Sequence, residues 1–136
     1  MVGVVAVASV KSVFAVALGG AVGSALRYLV TIVLLRPSAN ALPWGTFTVN
    51  ITGALVLGFL ARYFAPPNAS HPLVLALTIG LCGGYTTFST FTLELFTLVE
   101  RGAVGRGILY AVASVVVSYG AFLMGNLAAR MLRSLT

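Results

Sequence analysis

Apolar residues fill four stretches of this chain, and charged residues mark where each one stops. The uncharged gaps run from Ser12 to Leu35, broken only by Arg27, then from Pro37 to Ala61, Tyr63 to Leu93 and Gly107 to Ala129. A helix needs about 20 apolar residues to cross the hydrocarbon of a bilayer, so each gap holds one span. The predicted helices cover residues 12–35, 44–64, 73–98 and 104–130 of a single four-helix transmembrane domain, 1–136. The connections are short and carry breaker residues: Arg36-Pro37-Ser38-Ala39-Asn40, then Pro66-Pro67-Asn68-Ala69-Ser70-His71-Pro72, then the Gly102 to Gly105 turn.

The third stretch departs from this apolar monotony. Gly80-Leu81-Cys82-Gly83-Gly84-Tyr85-Thr86-Thr87-Phe88-Ser89-Thr90-Phe91 sets a glycine pair and four Ser and Thr hydroxyls in the middle of a predicted span. Unsatisfied backbone in lipid costs several kcal/mol per group, so irregular chain at this depth is tolerated only where protein buries it or where it lines a watery path. Glycine adopts unusual dihedrals at little steric cost, and Gly83, Gly84 and the threonines after them therefore suit a short unwound segment. Carbonyls freed by unwinding commonly hold sodium between half-helices, and two copies meeting there would surround one cation. A plain glycine kink fits the same residues.

Composition sharpens the membrane assignment. Of the 136 residues 60% are hydrophobic and 7% charged, with mean hydropathy +1.08, against about 25% charged in a soluble domain. A soluble fold is excluded. The net charge of +6 is dispersed over span ends, which reads as headgroup anchoring and not as a nucleic-acid surface. Trp44, Tyr63 and Phe64 sit where an interfacial aromatic belt is expected. The first span is read as retained and not as a cleaved leader, because Lys11 follows ten mostly apolar residues. One Cys and one His leave no disulfide, no cysteine metal site and no nucleophile–base pair, so an enzyme is not expected. His71 reads as a surface histidine.

With four spans both termini share one side. Lys11, Arg62, Arg130 and Arg133 then lie together, while Arg36, Arg101 and Arg106 lie opposite, with Arg27 in the half of its span nearer Arg36. Orientation follows the difference in Lys and Arg between the two sides, and here that difference nearly vanishes. Insertion both ways up, and pairing of opposed copies, follow as expectations. Small residues four apart, Gly19 and Gly23, Gly80 and Gly84, Ala121 and Gly125, are candidates for the packing of such a dimer.

Polar positions inside the spans fall into stripes. Thr46 and Asn50 are four apart on the second span, and Tyr110, Ser114 and Ser118 follow at four-residue steps on the fourth. On the third, Phe88 and Phe91 share a face, with Thr87, Thr90 and Glu94 on another. The positive edges of phenylalanine rings can approach an anion, and neutral hydroxyls and an amide can replace its lost water while still letting it leave. Interhelical hydrogen bonding and ordinary packing use the same residue types. Arg27 and Glu94 are the ionisable residues well inside predicted spans, which makes them functional candidates; Arg27 fits an aqueous mouth, and Glu94 fits a place along the route. Snorkelling to an interface competes for both.

Three segments, Gly19-Gly20-Ala21-Val22-Gly23-Ser24-Ala25-Leu26-Arg27-Tyr28, Trp44-Gly45-Thr46-Phe47-Thr48-Val49-Asn50-Ile51-Thr52-Gly53 and the Gly80 to Phe91 run, resemble the CrcB/Fluc family of small fluoride channels. The resemblance spans essentially the whole chain. It implies an all-α integral membrane protein of four transmembrane helices, the third broken near its middle, assembled as an antiparallel, dual-topology homodimer in the cell (inner or plasma) membrane. It also implies a central structural sodium ion on the carbonyls of Gly83 and Thr86, with Asn50, Phe88, Phe91, Ser89, Tyr110, Ser114 and Ser118 along the fluoride pathway. A small proton-coupled multidrug exporter shares the span count and charge balance, but its chemistry needs a carboxylate in the first span, where this chain has none.

Overall fold

The computed structural model describes residues 9–34, 42–64 and 68–135, and among these every regular element is helical. The breaker residues expected at Arg36 to Asn40 and at Pro66 and Pro67 lie outside the described residues, as do Leu35, the expected end of the first span, and Arg36 of the charge tally. Four helices are long and apolar enough to cross a membrane: Val10–Val33, Trp44–Tyr63, Pro72–Glu100 and Val104–Arg133. Ser9 starts the first of them, its Oγ accepting the Ser12 N–H at 3.2 Å. His71 similarly caps the third, its Nδ1 accepting the Leu73 N–H at 3.3 Å ahead of Pro72.

The first span packs along the leading part of the third, and the second packs along the fourth. Glycine sets both contacts. A Cβ on Gly84 would stand 2.6 Å from the Gly20 carbonyl oxygen, one on Gly80 2.7 Å from that of Val16, and one on Gly23 2.8 Å from the Tyr85 nitrogen. Between the second and fourth spans, a Cβ on Gly125 would lie 2.9 Å from the Phe59 nitrogen, and one on Gly58 2.9 Å from the Phe122 carbonyl carbon. The small-residue pairs that were candidates for a dimer contact are thus used inside the chain, where main chain touches main chain.

Along the third span the backbone changes character several times. Pro72–Leu75 is α-helical, Ala76–Cys82 is a π-helix and Gly83–Tyr85 is α-helical again. Thr86 (φ −80°, ψ 160°) and Thr87 (φ −152°, ψ 122°) are extended, and Phe88–Glu100 resumes the α-helix. Of the segment expected to unwind, Gly83 and Gly84 are helical and the threonines after them are extended. The extended positions are β-branched threonines, whose restricted χ1 suits extended backbone, and the glycines serve approach: Gly84 lies against Gly20, whereas a Cβ on Gly83 would meet nothing within 4 Å.

Candidate functional site

Thr87 does two jobs at the point where helix resumes. Its Oγ1 accepts the Thr90 N–H at 3.2 Å, capping Phe88–Glu100, a contact worth about 1 kcal/mol. Its main chain is held from the second span: the Thr87 N–H donates to Asn50 Oδ1 at 2.8 Å, and Asn50 Nδ2 donates to the Thr87 carbonyl at 3.1 Å. On the other side of the extended pair, Arg27 Nε donates to the Gly84 carbonyl at 3.0 Å. Cys82 O accepts from both the nitrogen and the Oγ1 of Thr86, each at 3.0 Å. Polar main chain at this depth thus finds partners from the first and second spans, as lipid requires.

Beside this joint lies a cavity of about 260 Å³, walled by Asn50, Thr86, Thr87, Phe88 and Phe91 on one side and by Ser114, Val115 and Ser118 of the fourth span on the other. The Ser114 and Ser118 Oγ atoms are buried and have no hydrogen-bond partner. Phe88 and Phe91 stand with ring centroids 5.6 Å apart, tilted by 40°. Phe91 is buried, but Phe88 is 78% exposed, so the cavity is open on that side.

One layer further along, Glu94 gathers two donors. Thr46 Oγ1 donates to Oε1 and the Tyr110 hydroxyl to Oε2, both at 2.8 Å. Thr46 and Tyr110 are 1% and 2% exposed, and the half-buried carboxylate has a donor on each oxygen from two other spans. Phe91 connects the layers, its ring 5.2 Å from that of Tyr110.

A family model described as "CrcB-like protein, Camphor Resistance (CrcB)" matches residues 14–126. The chain belongs to the CrcB family. Among its curated relatives, the "Fluoride-specific ion channel FluC 1" of Nitrobacter hamburgensis is 47% identical over 121 residues, covering 88% of this chain and 96% of that protein. The "Fluoride-specific ion channel FluC" of Rhizobium etli is 48% identical, covering 82% and 90%; that of Phocaeicola vulgatus is 41% identical, covering 85% and 95%.

As a CrcB protein with four membrane-spanning helices, the chain is a multi-pass membrane protein. Of the residues singled out in the sequence, Asn50, Phe88, Phe91, Ser114 and Ser118 meet at the cavity. Thr46, Glu94 and Tyr110 form the adjoining cluster. Ser89 is exposed and stands off the cavity, its Oγ 3.3 Å from Thr87 Oγ1. Arg27 has a main-chain partner that a place at an aqueous mouth did not require. Thr87, which sequence reasoning left out of the site, is its hinge point. A threonine ahead of a resumed helical pattern is an N-cap signal that could have found it.

Proposed function

We propose that this CrcB protein is a fluoride channel, not an enzyme, that lets fluoride leave the cytoplasm passively and so limits its toxicity. The observation that carries the reading is the pair of orphaned hydroxyls. A buried hydroxyl without a partner costs about 1–3 kcal/mol, and Ser114 and Ser118 hold two such groups on the wall of one cavity with Phe88 and Phe91. An ion stripped of water is the partner that such a wall suits, taking hydrogen bonds from the hydroxyls and ring edges from the phenylalanines. The relatives' printed names, fluoride-specific ion channel, support fluoride as that ion. Asn50, Ser89, Tyr110, Thr46 and Glu94 belong to the same route in this reading, with Arg27 at its vestibule. Fluoride enters as neutral HF and dissociates at cytoplasmic pH. A negative-inside potential then drives it outward by about 2.3 kcal/mol per charge for each 100 mV, so no pump is needed.

The working unit in this reading is an antiparallel homodimer. The even spread of positive charge supports both orientations, and the exposure of Phe88 supports a second copy finishing the cavity wall. The third span is broken at Thr86 and Thr87, and a structural sodium ion lies between the two copies on the carbonyls of Gly83 and Thr86. Main-chain oxygens suit that hard cation. Among the described residues no cluster of three or more His, Cys, Asp or Glu offers a side-chain cage. The exposure of Gly83 and the diversion of the Thr87 N–H to Asn50 support this reading. When bound, sodium supplies positive charge and a tie between the copies.

The test is halide-resolved efflux from liposomes holding the purified protein. Rapid fluoride release with chloride retained is the expected result. Vesicles that keep their fluoride overturn the proposal, and proton-coupled drug exchange by the same vesicles would make the protein an exporter.

A further inference from the structure

Asn50 holds both polar groups of the Thr87 main chain, accepting its N–H at 2.8 Å and donating to its carbonyl at 3.1 Å. In an uninterrupted α-helix that N–H would instead go to the carbonyl four residues back, which is Gly83. The amide therefore does more than bridge two spans. It withdraws from Gly83 the donor that would close the helix, and it holds Thr87 at φ −152°, ψ 122° while doing so. Arg27 treats the next carbonyl differently: the donor lost by Gly84 at the interruption is replaced by Nε at 3.0 Å. Gly83 itself is exposed, and a Cβ there would meet nothing within 4 Å. One carbonyl is satisfied by a cation of the protein, and its neighbour is deprived of its donor.

We propose that Asn50 is a positioning residue for the cation site: by taking the Thr87 N–H it keeps the Gly83 carbonyl available to sodium. Asn50 also walls the cavity with Ser114 and Ser118, so the anion path and the cation site share one side chain. This inference rests on the reading of the interruption as a sodium site. It predicts an effect that a donor acting only on fluoride would not have, namely a change in sodium affinity when Asn50 is altered.

The full chain in detergent micelles is melted across a sodium titration at constant ionic strength, with N-methylglucamine replacing sodium, because a ligand of the folded state raises stability with its concentration. Asn50→Ala moves the sodium midpoint at least tenfold higher, as the Thr87 N–H returns to Gly83. Ser114→Ala, on the same cavity wall, leaves the midpoint in place. Asn50→Asp keeps an acceptor for the Thr87 N–H, so sodium affinity is not weakened even though a negative charge on the wall cuts fluoride efflux.

A wild-type midpoint in Asn50→Ala, or a midpoint in Asn50→Asp as weak as that expected for Ala, overturns the proposal. If the wild-type protein shows no sodium response, the sodium reading itself falls. The carbonyl ¹³C shift of Gly83 then decides the latch separately, moving toward the hydrogen-bonded value in Asn50→Ala if the latch is real and staying fixed if it is not.

Discussion

Ser114→Ala separates a hydroxyl kept for an ion from one kept for the fold. Ser114 is 6% exposed and its Oγ has no partner. In the resting protein it is a cost of about 1–3 kcal/mol, and removing it should leave stability unchanged or raise it by up to about that amount. With a dehydrated fluoride in the cavity the balance reverses. A hydrogen bond to a charged group is worth about 1.5–3 kcal/mol, and each 1.4 kcal/mol is a factor of about ten. If Ser114 replaces a lost water where the ion is least hydrated, its removal slows fluoride flux by about 10- to 150-fold. Fluoride-electrode recording of efflux from liposomes gives the flux, and reversible unfolding in mixed micelles gives the stability. A variant that conducts like the wild type and is less stable would refute the reasoning, because the hydroxyl would then be structural.

Three further substitutions test other contacts. Gly58→Ala drives a methyl group into the Phe122 main chain and should cost about 1–3 kcal/mol by overpacking; Gly120→Ala, where a Cβ meets nothing within 4 Å, should stay within about 0.5 kcal/mol, and the same unfolding measurement compares them. Tyr110→Phe deletes the donor to Glu94 Oε2; leaving that oxygen unsatisfied should cost about 1–3 kcal/mol, with efflux lowered several-fold, and unchanged stability and flux would remove the cluster from the pathway. Arg27→Lys replaces a planar donor by a compact, flexible ammonium, so the Gly84 carbonyl should lose its partner at a cost of about 1.5–3 kcal/mol, read as a lower unfolding midpoint.

Hydropathy made the four spans legible, because a crossing helix must be apolar along its whole length and charge interrupts it visibly. Helical spacing likewise put Phe88 beside Phe91 and Ser114 beside Ser118, since residues three or four apart share a face in any helix. What spacing could not supply was the rotation of one helix against another. Thr46, Glu94 and Tyr110 lie on three different spans, and only their packing turns two hydroxyls onto one carboxylate. The glycines misled for a different reason. Gly83 and Gly84 were read for their dihedral freedom as part of one unwound segment with the threonines after them, yet Gly84 is small because Gly20 lies against it, and the extended backbone falls on the threonine part, Thr86 and Thr87. Gly19, Gly23, Gly80 and Gly125 tell the same story: close approach looks identical in sequence whether the neighbour is in the same chain or another.

The two ionisable side chains placed inside the spans explain why the cavity wall can remain neutral. Arg27 sends Nε to the Gly84 carbonyl, at the end of a helical segment where partial negative charge collects. Glu94 has a donor on each oxygen, from Thr46 and Tyr110. Neither residue lines the cavity, which is walled by an amide, threonines, serines, phenylalanines and a valine. A free guanidinium there would bind a small anion too firmly for fast exit, and a free carboxylate would repel it. Uncharged donors instead offer hydrogen bonds that an ion can trade one for another, provided that binding stays weak at each step. In the proposed channel, charge at Arg27 and Glu94 fixes backbone and neighbouring side chains, and the exchangeable contacts at the cavity are left to neutral groups; the Ser114 and Arg27 substitutions should therefore differ in kind, the first changing flux without loss of stability and the second lowering stability itself.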